Sequence, residues 1–207
     1  MPPFTVLHVC LGNICRSPMA ERLLVLAVRE RLARRAGAVE PDAGAADHLV
    51  HSHSAGTGGW HAGEEMNPPA ARQVIGRGGA VEGFAARKLR SDHIDAADLV
   101  LTATADQQEY VVALRPDAAA RTFVLGEFGR LLAAVDVAAL PPSEATPEGV
   151  YARGVAVVAA AHDNRLGASV LPTDDLDDPW GRGDQCFSRV ADEIEETVHP
   201  LAAALLP

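Results

Sequence analysis

The sequence predicts an α/β fold in which a four-stranded, mostly parallel sheet is covered by helices on both faces. Short apolar runs alternate along the chain with longer segments of helical periodicity. Such alternation is typical of β-α-β units, whose strands run parallel and whose connecting helices cover the sheet. Ligands of these sheets bind at the carboxyl ends of the strands. We therefore expect functional residues in the loops that follow the strands.

The first strand is predicted at residues 4–9, where Phe-Thr-Val-Leu-His-Val forms an apolar run suited to a buried parallel strand. It ends in a tight turn, because Gly12 and Asn13 both tolerate positive φ. Residues 37–47 are rich in Ala, Gly and Asp and are predicted to form a loop, and 55–59 a flexible turn. Three more strands are predicted at 48–54, 97–103 and 121–125.

The first helix is predicted to begin at Ser17 and Pro18, because serine is a favourable N-cap and proline a favourable first helical residue. An acidic loop with Pro and Gly is predicted at 174–183. The remaining helices are predicted at residues 67 to about 76–79, 105–114, 127–135, 150–161 and 188–206.

The 207 residues are predicted to form a single domain, 1–207, with an insertion at about 135–173. A net charge of −10 argues against a nucleic-acid partner, because phosphate-backbone binding needs clustered Lys and Arg. No uninterrupted apolar run reaches about 18 residues, so no membrane span is expected. Three cysteines do not make a secreted disulfide framework, and a reducing cytoplasm is predicted.

Residues 10–16, between the first strand and the first helix, carry the residue types of an anion site. Backbone N–H groups of such a loop, together with the helix dipole, can bind an anion and stabilise the thiolate of Cys10. The planar fork of Arg16 can hold two phosphoryl oxygens, and the Ser17 hydroxyl can donate to the Cys10 sulfur. This combination predicts a phosphatase that attacks phosphomonoesters with Cys10.

A thiolate that displaces an aryl oxide needs a proton donor for the leaving oxygen. The acidic loop supplies candidates in Asp-Asp-Leu-Asp-Asp-Pro-Trp-Gly, residues 174–181. An aryl substrate also needs apolar walls, and the two tryptophans, Trp60 and Trp180, are candidates for them. His48, His51, His53 and His61 are near one another in sequence, but no matching ligand spacing accompanies them, so neither a metal nor a cofactor is expected.

Residues 9–21, Val-Cys-Leu-Gly-Asn-Ile-Cys-Arg-Ser-Pro-Met-Ala-Glu, resemble the signature of low-molecular-weight protein tyrosine phosphatases. The resemblance implies a three-layer sandwich and hydrolysis of phosphotyrosine in proteins through a phosphocysteine intermediate on Cys10. It implies that Arg16 binds the phosphoryl group and that Ser17 activates Cys10 and helps it depart. The loop that would bind inorganic phosphate or another oxyanion is completed by Leu11, Gly12, Asn13, Ile14 and Cys15.

The resemblance also implies roles outside the loop. Asn13 would hold the loop in shape with the help of Ser54 on the second strand. Of the candidate acids, the resemblance selects Asp178, which precedes Pro and an aromatic residue. The family often has a histidine in its support network where this chain has Phe84, so the support of Cys10 is expected to differ here. The inserted segment is expected to reshape the rim, restrict substrates or bind a partner.

Several alternatives remain open from the sequence. Ile14 favours phosphotyrosine as the substrate, because the resemblance implies threonine at this position in the family's arginine phosphatases. An arsenate reductase of the same fold would need further cysteines to pass electrons, and Cys186 is the only late one. An inactive anion-binding module is the alternative from another class. Cys15 is either a reversible disulfide partner of Cys10, as in the family, or a buried bystander thiol.

Overall fold

The computed structural model describes residues 1–37, 43–142, 144–166 and 168–207. In these residues four strands form one parallel sheet in the order β2-β1-β3-β4. The strands are β1 (Phe4–Cys10), β2 (Val50–Gly56), β3 (Leu99–Thr102) and β4 (Thr122–Val124). The helices are α1 (Arg16–Ala36), α2 (Ala43–Leu49), α3 (Pro68–Gly76), α4 (Ser91–Asp95), α5 (Ala105–Leu114), α6 (Leu125–Leu132), α7 (Pro147–Arg165) and α8 (Asp184–Leu205), with 3-10 turns at Pro116–Arg121 and Pro172–Asp174.

Side chains alternate between the two faces of the sheet, and both faces are covered. Val6 and Leu101 point to one face, where they belong to the large core formed with α1, α6, α7 and α8. Leu7, Val9 and Val100 point to the other face, where they pack with residues of α4 and α5. A strand buried on both sides reads as a continuous apolar run, as residues 4–9 do. The predicted α/β fold is therefore confirmed.

The second strand was predicted two residues too early. His48 and Leu49 complete helix α2, which replaces the end of the loop predicted at 37–47; residues 38–42 lie outside the described residues. At the other end the strand continues to Gly56, because its N–H donates to the Arg87 carbonyl and its carbonyl accepts from Leu89 N–H. The expected flexible turn at residues 55–59 is thus wrong for its first two positions. Short helix α4 was also missed.

The segment predicted to be an insertion contributes helix α7 to the core at the end of the sheet remote from Cys10. The helix begins before the predicted residue 150 because the Thr146 hydroxyl accepts from Gly149 N–H and Pro147 follows the cap. Gly154 lies directly on Phe4, where an added Cβ would be 2.5 Å from the ring. Phe4 is the first residue of β1 and Cys10 the last, so α7 does not line the rim around Cys10. Residues 143 and 167 of the insertion lie outside the described residues.

His8, in the middle of β1, is held neutral by burial. Its Nε2 lies 3.1 Å from Ser52 Oγ, which donates its own proton to the Glu21 carbonyl. The ring must therefore donate from Nε2, and the buried Nδ1 has no partner among the described residues. Burial, the larger cause, and the nearby His53 lower the pKa of His8 to about 3. Burial likewise lowers the pKa of His53 to about 3.

These two histidines predict a loss of stability in mild acid. Each of these histidines takes up a proton below about pH 6.5 in the unfolded chain, but only near pH 3 in the folded chain. The free energy of unfolding therefore falls as the pH drops through this window. We expect the unfolding free energy from denaturant titration to fall by about 2 kcal/mol per histidine between pH 7 and pH 5. His8→Gln should remove its share of the fall, and exposed His48→Gln should not. An unchanged fall in His8→Gln would contradict the assignment.

Candidate active site

The loop after β1 wraps around the Cys10 sulfur at the carboxyl end of the sheet. Asn13 is the residue that turns the chain, with φ of +56°, and its N–H points at Cys10 Sγ at 3.3 Å. Asparagine tolerates this left-handed conformation better than most residues. Gly56 permits the end of β2 to approach the loop, since a Cβ there would lie 2.8 Å from the Leu11 carbonyl oxygen. The backbone thus curves around one buried thiol.

Ser17 is part of the Cys10 site instead of capping helix α1. The helix begins at Arg16 with Cys15 as its N-cap residue, so the predicted capping role of Ser17 is wrong. Ser17 Oγ lies 3.0 Å from Cys10 Sγ and accepts a hydrogen bond of 2.9 Å from Asn13 Nδ2. Since that bond occupies the oxygen as an acceptor, its proton is free for the sulfur. Ser17 can therefore stabilise a Cys10 thiolate.

Asn13 anchors the loop through all of its amide groups. Its Nδ2 donates to Ser17 Oγ and, at 2.8 Å, to Ser54 Oγ, while its Oδ1 accepts from Arg87 N–H at 2.8 Å. Ser54 in turn donates to Glu21 Oε2 at 2.6 Å. The side chains of Asn13, Ser54 and Glu21 are all buried. A buried network in which each donor has a partner specifies one loop conformation.

Arg16 and Asp178 face each other across the loop. Arg16 is 5% exposed, and its guanidinium donates to the Leu176 carbonyl and lies 3.2 Å from Asp178 Oδ2. Its Nε is buried and has no hydrogen-bond partner in the described residues. Asp178 is half exposed, and its other oxygen accepts from Trp180 N–H. A cation with a free buried donor is thus placed beside a carboxyl group that water and ligands can reach.

A cavity of about 310 Å³ opens above the loop. Trp60 and Trp180 form its outer walls and are more than half exposed, while Ile14 lies deeper and is buried. The cavity brings together ten residues, namely Cys10, Leu11, Gly12, Ile14, Cys15, Arg16, Trp60, His61, Asp178 and Trp180. Its size and aromatic walls suit a planar ring with a charged group at its end.

A family model described as "Low molecular weight phosphotyrosine protein phosphatase" matches residues 5–144. The chain belongs to the low molecular weight phosphotyrosine protein phosphatase family. The matched residues include the whole Cys10 loop, Ser54 and Trp60. The match ends before Asp178, so the assignment of Asp178 to the site rests on its contact with Arg16.

Two curated family members from bacteria are similar over about half of this chain. The low molecular weight protein-tyrosine-phosphatase of Streptomyces coelicolor is 36% identical over 113 residues, which cover 55% of this chain and 60% of that protein. YfkJ of Bacillus subtilis is 36% identical over 105 residues, which cover 49% of this chain and 57% of that protein. The matched region is thus less than two thirds of either relative.

Solved structures show the same fold over nearly the full length. A Bacillus subtilis YwlE mutant gives a TM-score of 0.61 at 22% identity, covering 96% of both chains. The tyrosine phosphatase Wzb from Escherichia coli K30, solved with sulphate, gives 0.59 at 20% identity, covering 97% of this chain and 96% of that one. At these identities the likeness concerns the fold.

The network of polar side chains behind the Cys10 loop continues from Glu21 to Arg22. Glu21 Oε1 lies 3.2 Å from Arg22 Nε, and burial, the larger influence, raises the pKa of Glu21 although Ser54 donates to it. The Phe84 side chain, which has no hydrogen-bonding group, lies under the Arg22 guanidinium, 5.8 Å from its ring centre. Phe84 therefore packs against Arg22, and the altered support of Cys10 stays a prediction.

Two residues near the loop had no role in the sequence prediction. Glu21 belongs to the quoted signature, but its contact with Ser54 spans 33 positions of sequence. His61 lines the cavity, lies against Gly12, and has its ring tilted against that of Trp180 with 5.8 Å between the ring centres. Its position directly after Trp60 is the one signal that could have indicated this role.

Cys15 belongs to the loop but does not have the surroundings of a nucleophile. Burial, the largest influence, and the neighbouring Cys10 raise the pKa of Cys15 to about 12.

The described residues contain no group of three or more His, Cys, Asp or Glu side chains placed to hold a metal ion. A search of the same residues finds no helix with the length and apolar character of a membrane span.

Proposed function

We propose that the protein hydrolyses phosphotyrosine in proteins through a phosphocysteine intermediate on Cys10. The observation that carries this proposal is one aromatic-walled cavity that joins Cys10, Arg16 and Asp178. Membership of the family supports the activity, and the two bacterial relatives are named as protein-tyrosine-phosphatases. Wzb was solved with sulphate, which supports an oxyanion such as inorganic phosphate in this loop.

In the first step the Cys10 thiolate attacks phosphorus and the bond between phosphorus and the aryl oxygen breaks. Backbone N–H groups of the loop and the Arg16 guanidinium hold the phosphoryl oxygens as charge develops on them. Asp178 in its acid form gives its proton to the departing phenolate. The products of this step are the free phenol and phosphocysteine.

In the second step water attacks phosphorus and the sulfur leaves. Asp178, now a carboxylate, removes a proton from the water, and inorganic phosphate forms. The thiolate that departs is received by the Ser17 hydroxyl at 3.0 Å and by Asn13 N–H at 3.3 Å. The same donors thus favour the ionised sulfur before the attack and after the departure.

We propose that the catalytic residues are Cys10, Arg16, Ser17 and Asp178, with Ser54 as loop support and Trp60 and Trp180 as pocket walls. We also propose one phosphatase domain, 1–207, in which the segment at 135–173 is an insertion, and function in a reducing cytoplasm where Cys10 is not oxidised. An arsenate reductase receives no support from the cavity. Cys186 does not line it and lies at the start of α8, close to Arg189.

A panel of phosphopeptides tests the proposal. We expect kcat/KM for a phosphotyrosine peptide to exceed that for the matched phosphoarginine and phosphoserine peptides by about 100-fold, because the tryptophan walls and Ile14 favour an aryl group. Ile14→Thr, as the control, should narrow the gap between phosphotyrosine and phosphoarginine. Equal hydrolysis of phosphoarginine would contradict the substrate class. If the protein showed no turnover that vanadate inhibits, an anion-binding module would be the better interpretation.

A further inference from the structure

An ion pair outside the Cys10 loop holds the beginning of the segment that carries Asp178. Arg130 of α6 contacts Asp174 through two nitrogens, with Nε 3.3 Å from Oδ1 and the terminal nitrogen 2.8 Å from Oδ2. Asp174 is 5% exposed, and its Oδ2 also accepts from Leu171 N–H at 2.7 Å. A two-pronged contact to a buried carboxylate fixes direction as well as distance.

The backbone around this pair is closely packed. An added Cβ at Gly126 of α6 would lie 2.6 Å from the Asp174 carbonyl oxygen. The next residue, Asp175, accepts a bond of 2.8 Å from Ala105 N–H at the start of α5. Leu176 N–H then donates to the Ala103 carbonyl, just beyond β3, at 2.8 Å. Three consecutive residues, 174–176, are therefore attached to three separate parts of the framework.

This attachment ends at the catalytic residues. The Leu176 carbonyl accepts from Arg16, and Asp178, two residues later, lies 3.2 Å from the same guanidinium. Between them, Asp177 points away and pairs with Arg189 and Arg182, all about half exposed. Exposed pairs of this kind stabilise little. The ion pairs of residues 174–178 that lie away from Arg16 in the described structure are those of Asp174 and of Asp177. Only the pair of Asp174 with Arg130 includes a buried side chain.

We propose that Arg130 and Asp174 are positioning residues that set the distance between Asp178 and the leaving oxygen. The inference rests on the proposed function, because it concerns the proton that Asp178 transfers. It also gives the inserted segment a connection to the reaction, since Asp174 follows directly on its last residue. A displacement of about 1 Å in such a group can lower a rate by about 100-fold.

The test compares two substrates that differ in their need for the proton. Nitrophenolate leaves readily without one and phenolate does not, and kcat/KM reports the step in which the bond to either breaks. We expect Arg130→Met to lower kcat/KM by at least about tenfold for phenyl phosphate and by less than about threefold for p-nitrophenyl phosphate. Asp174→Asn should behave in the same way, and Arg130→Lys should recover part of the loss.

The matched control is Arg115→Met, which breaks an exposed pair with Asp95 outside the cavity and should change neither substrate. Thermal melting of each variant shows whether it is folded, and Arg130→Lys serves if Arg130→Met is not. Equal losses for both substrates, or no loss, would overturn the inference. The proposed function would still stand in that case if wild-type turnover depended on Cys10. A wild type that turns over neither substrate would refute the proposed function itself.

Discussion

Cys10→Ser should abolish hydrolysis of p-nitrophenyl phosphate, with kcat lower by at least about 10,000-fold, and yet keep the binding of phosphate. A serine hydroxyl in place of the thiol is a poor nucleophile, because a hydroxyl is far less acidic than a thiol and stays protonated at neutral pH. The loop backbone and Arg16, which we propose bind the oxyanion, are unchanged by the substitution. Isothermal titration with inorganic phosphate and a steady-state assay measure the two properties separately.

Cys186→Ser is the matched control for this experiment. Its thiol is also buried, but it lies at the start of α8 and does not line the cavity, so its activity should stay within about twofold of wild type. Residual turnover by Cys10→Ser within about 100-fold of wild type would show that the phosphoryl group does not pass through Cys10. Because the variant should bind substrates without releasing them as products, it also suits capture of phosphotyrosine proteins.

Asp178→Asn should lower kcat/KM for phenyl phosphate by about 100-fold to 10,000-fold, because an amide can neither give nor take the proton. The effect on p-nitrophenyl phosphate should be smaller, since nitrophenolate leaves readily. The neighbouring Asp177 provides a matched control in the same loop. Its carboxylate pairs with Arg189, which lowers the pKa of Asp177 and keeps it ionised.

Asp177→Asn should therefore change kcat/KM by less than about threefold for either substrate. Circular dichroism checks that both variants are folded. If Asp177→Asn were the more damaging of the two, the acid would be Asp177 and the contact between Asp178 and Arg16 would have a structural role. If the two variants lost activity equally on both substrates, neither carboxyl would be the proton donor.

The Cys10 loop could be predicted in detail because its chemistry is contiguous. A nucleophile, a turn, a cationic fork and a hydroxyl lie within positions 10–17, so no long-range folding information is needed to bring them together. Asp178 lies 162 positions after Arg16 in sequence and could be selected only through resemblance to the family. Its contact with Arg16 depends on how three framework elements hold residues 174–176.

The parts that escaped prediction depend on tertiary contacts or on partners distant in sequence. Gly56 looks like a turn residue but extends a strand, since residues 87–89 provide hydrogen bonds that no local pattern reveals. Ser17 looks like an N-cap but is bonded to Cys10 and Asn13. Arg130 looks like an ordinary helix arginine until its partner, 44 positions later, is known.

Helix α7 bears on how short this chain could become. Its Gly154 lies against Phe4, and Arg165 at its end covers the ring of Phe123 at 3.8 Å. Removing α7 would expose the ring of Phe4 and uncover one face of Phe123. Exposed apolar patches of this kind promote aggregation. Helix α7 is thus needed to keep this sheet covered, although it lies far from Cys10.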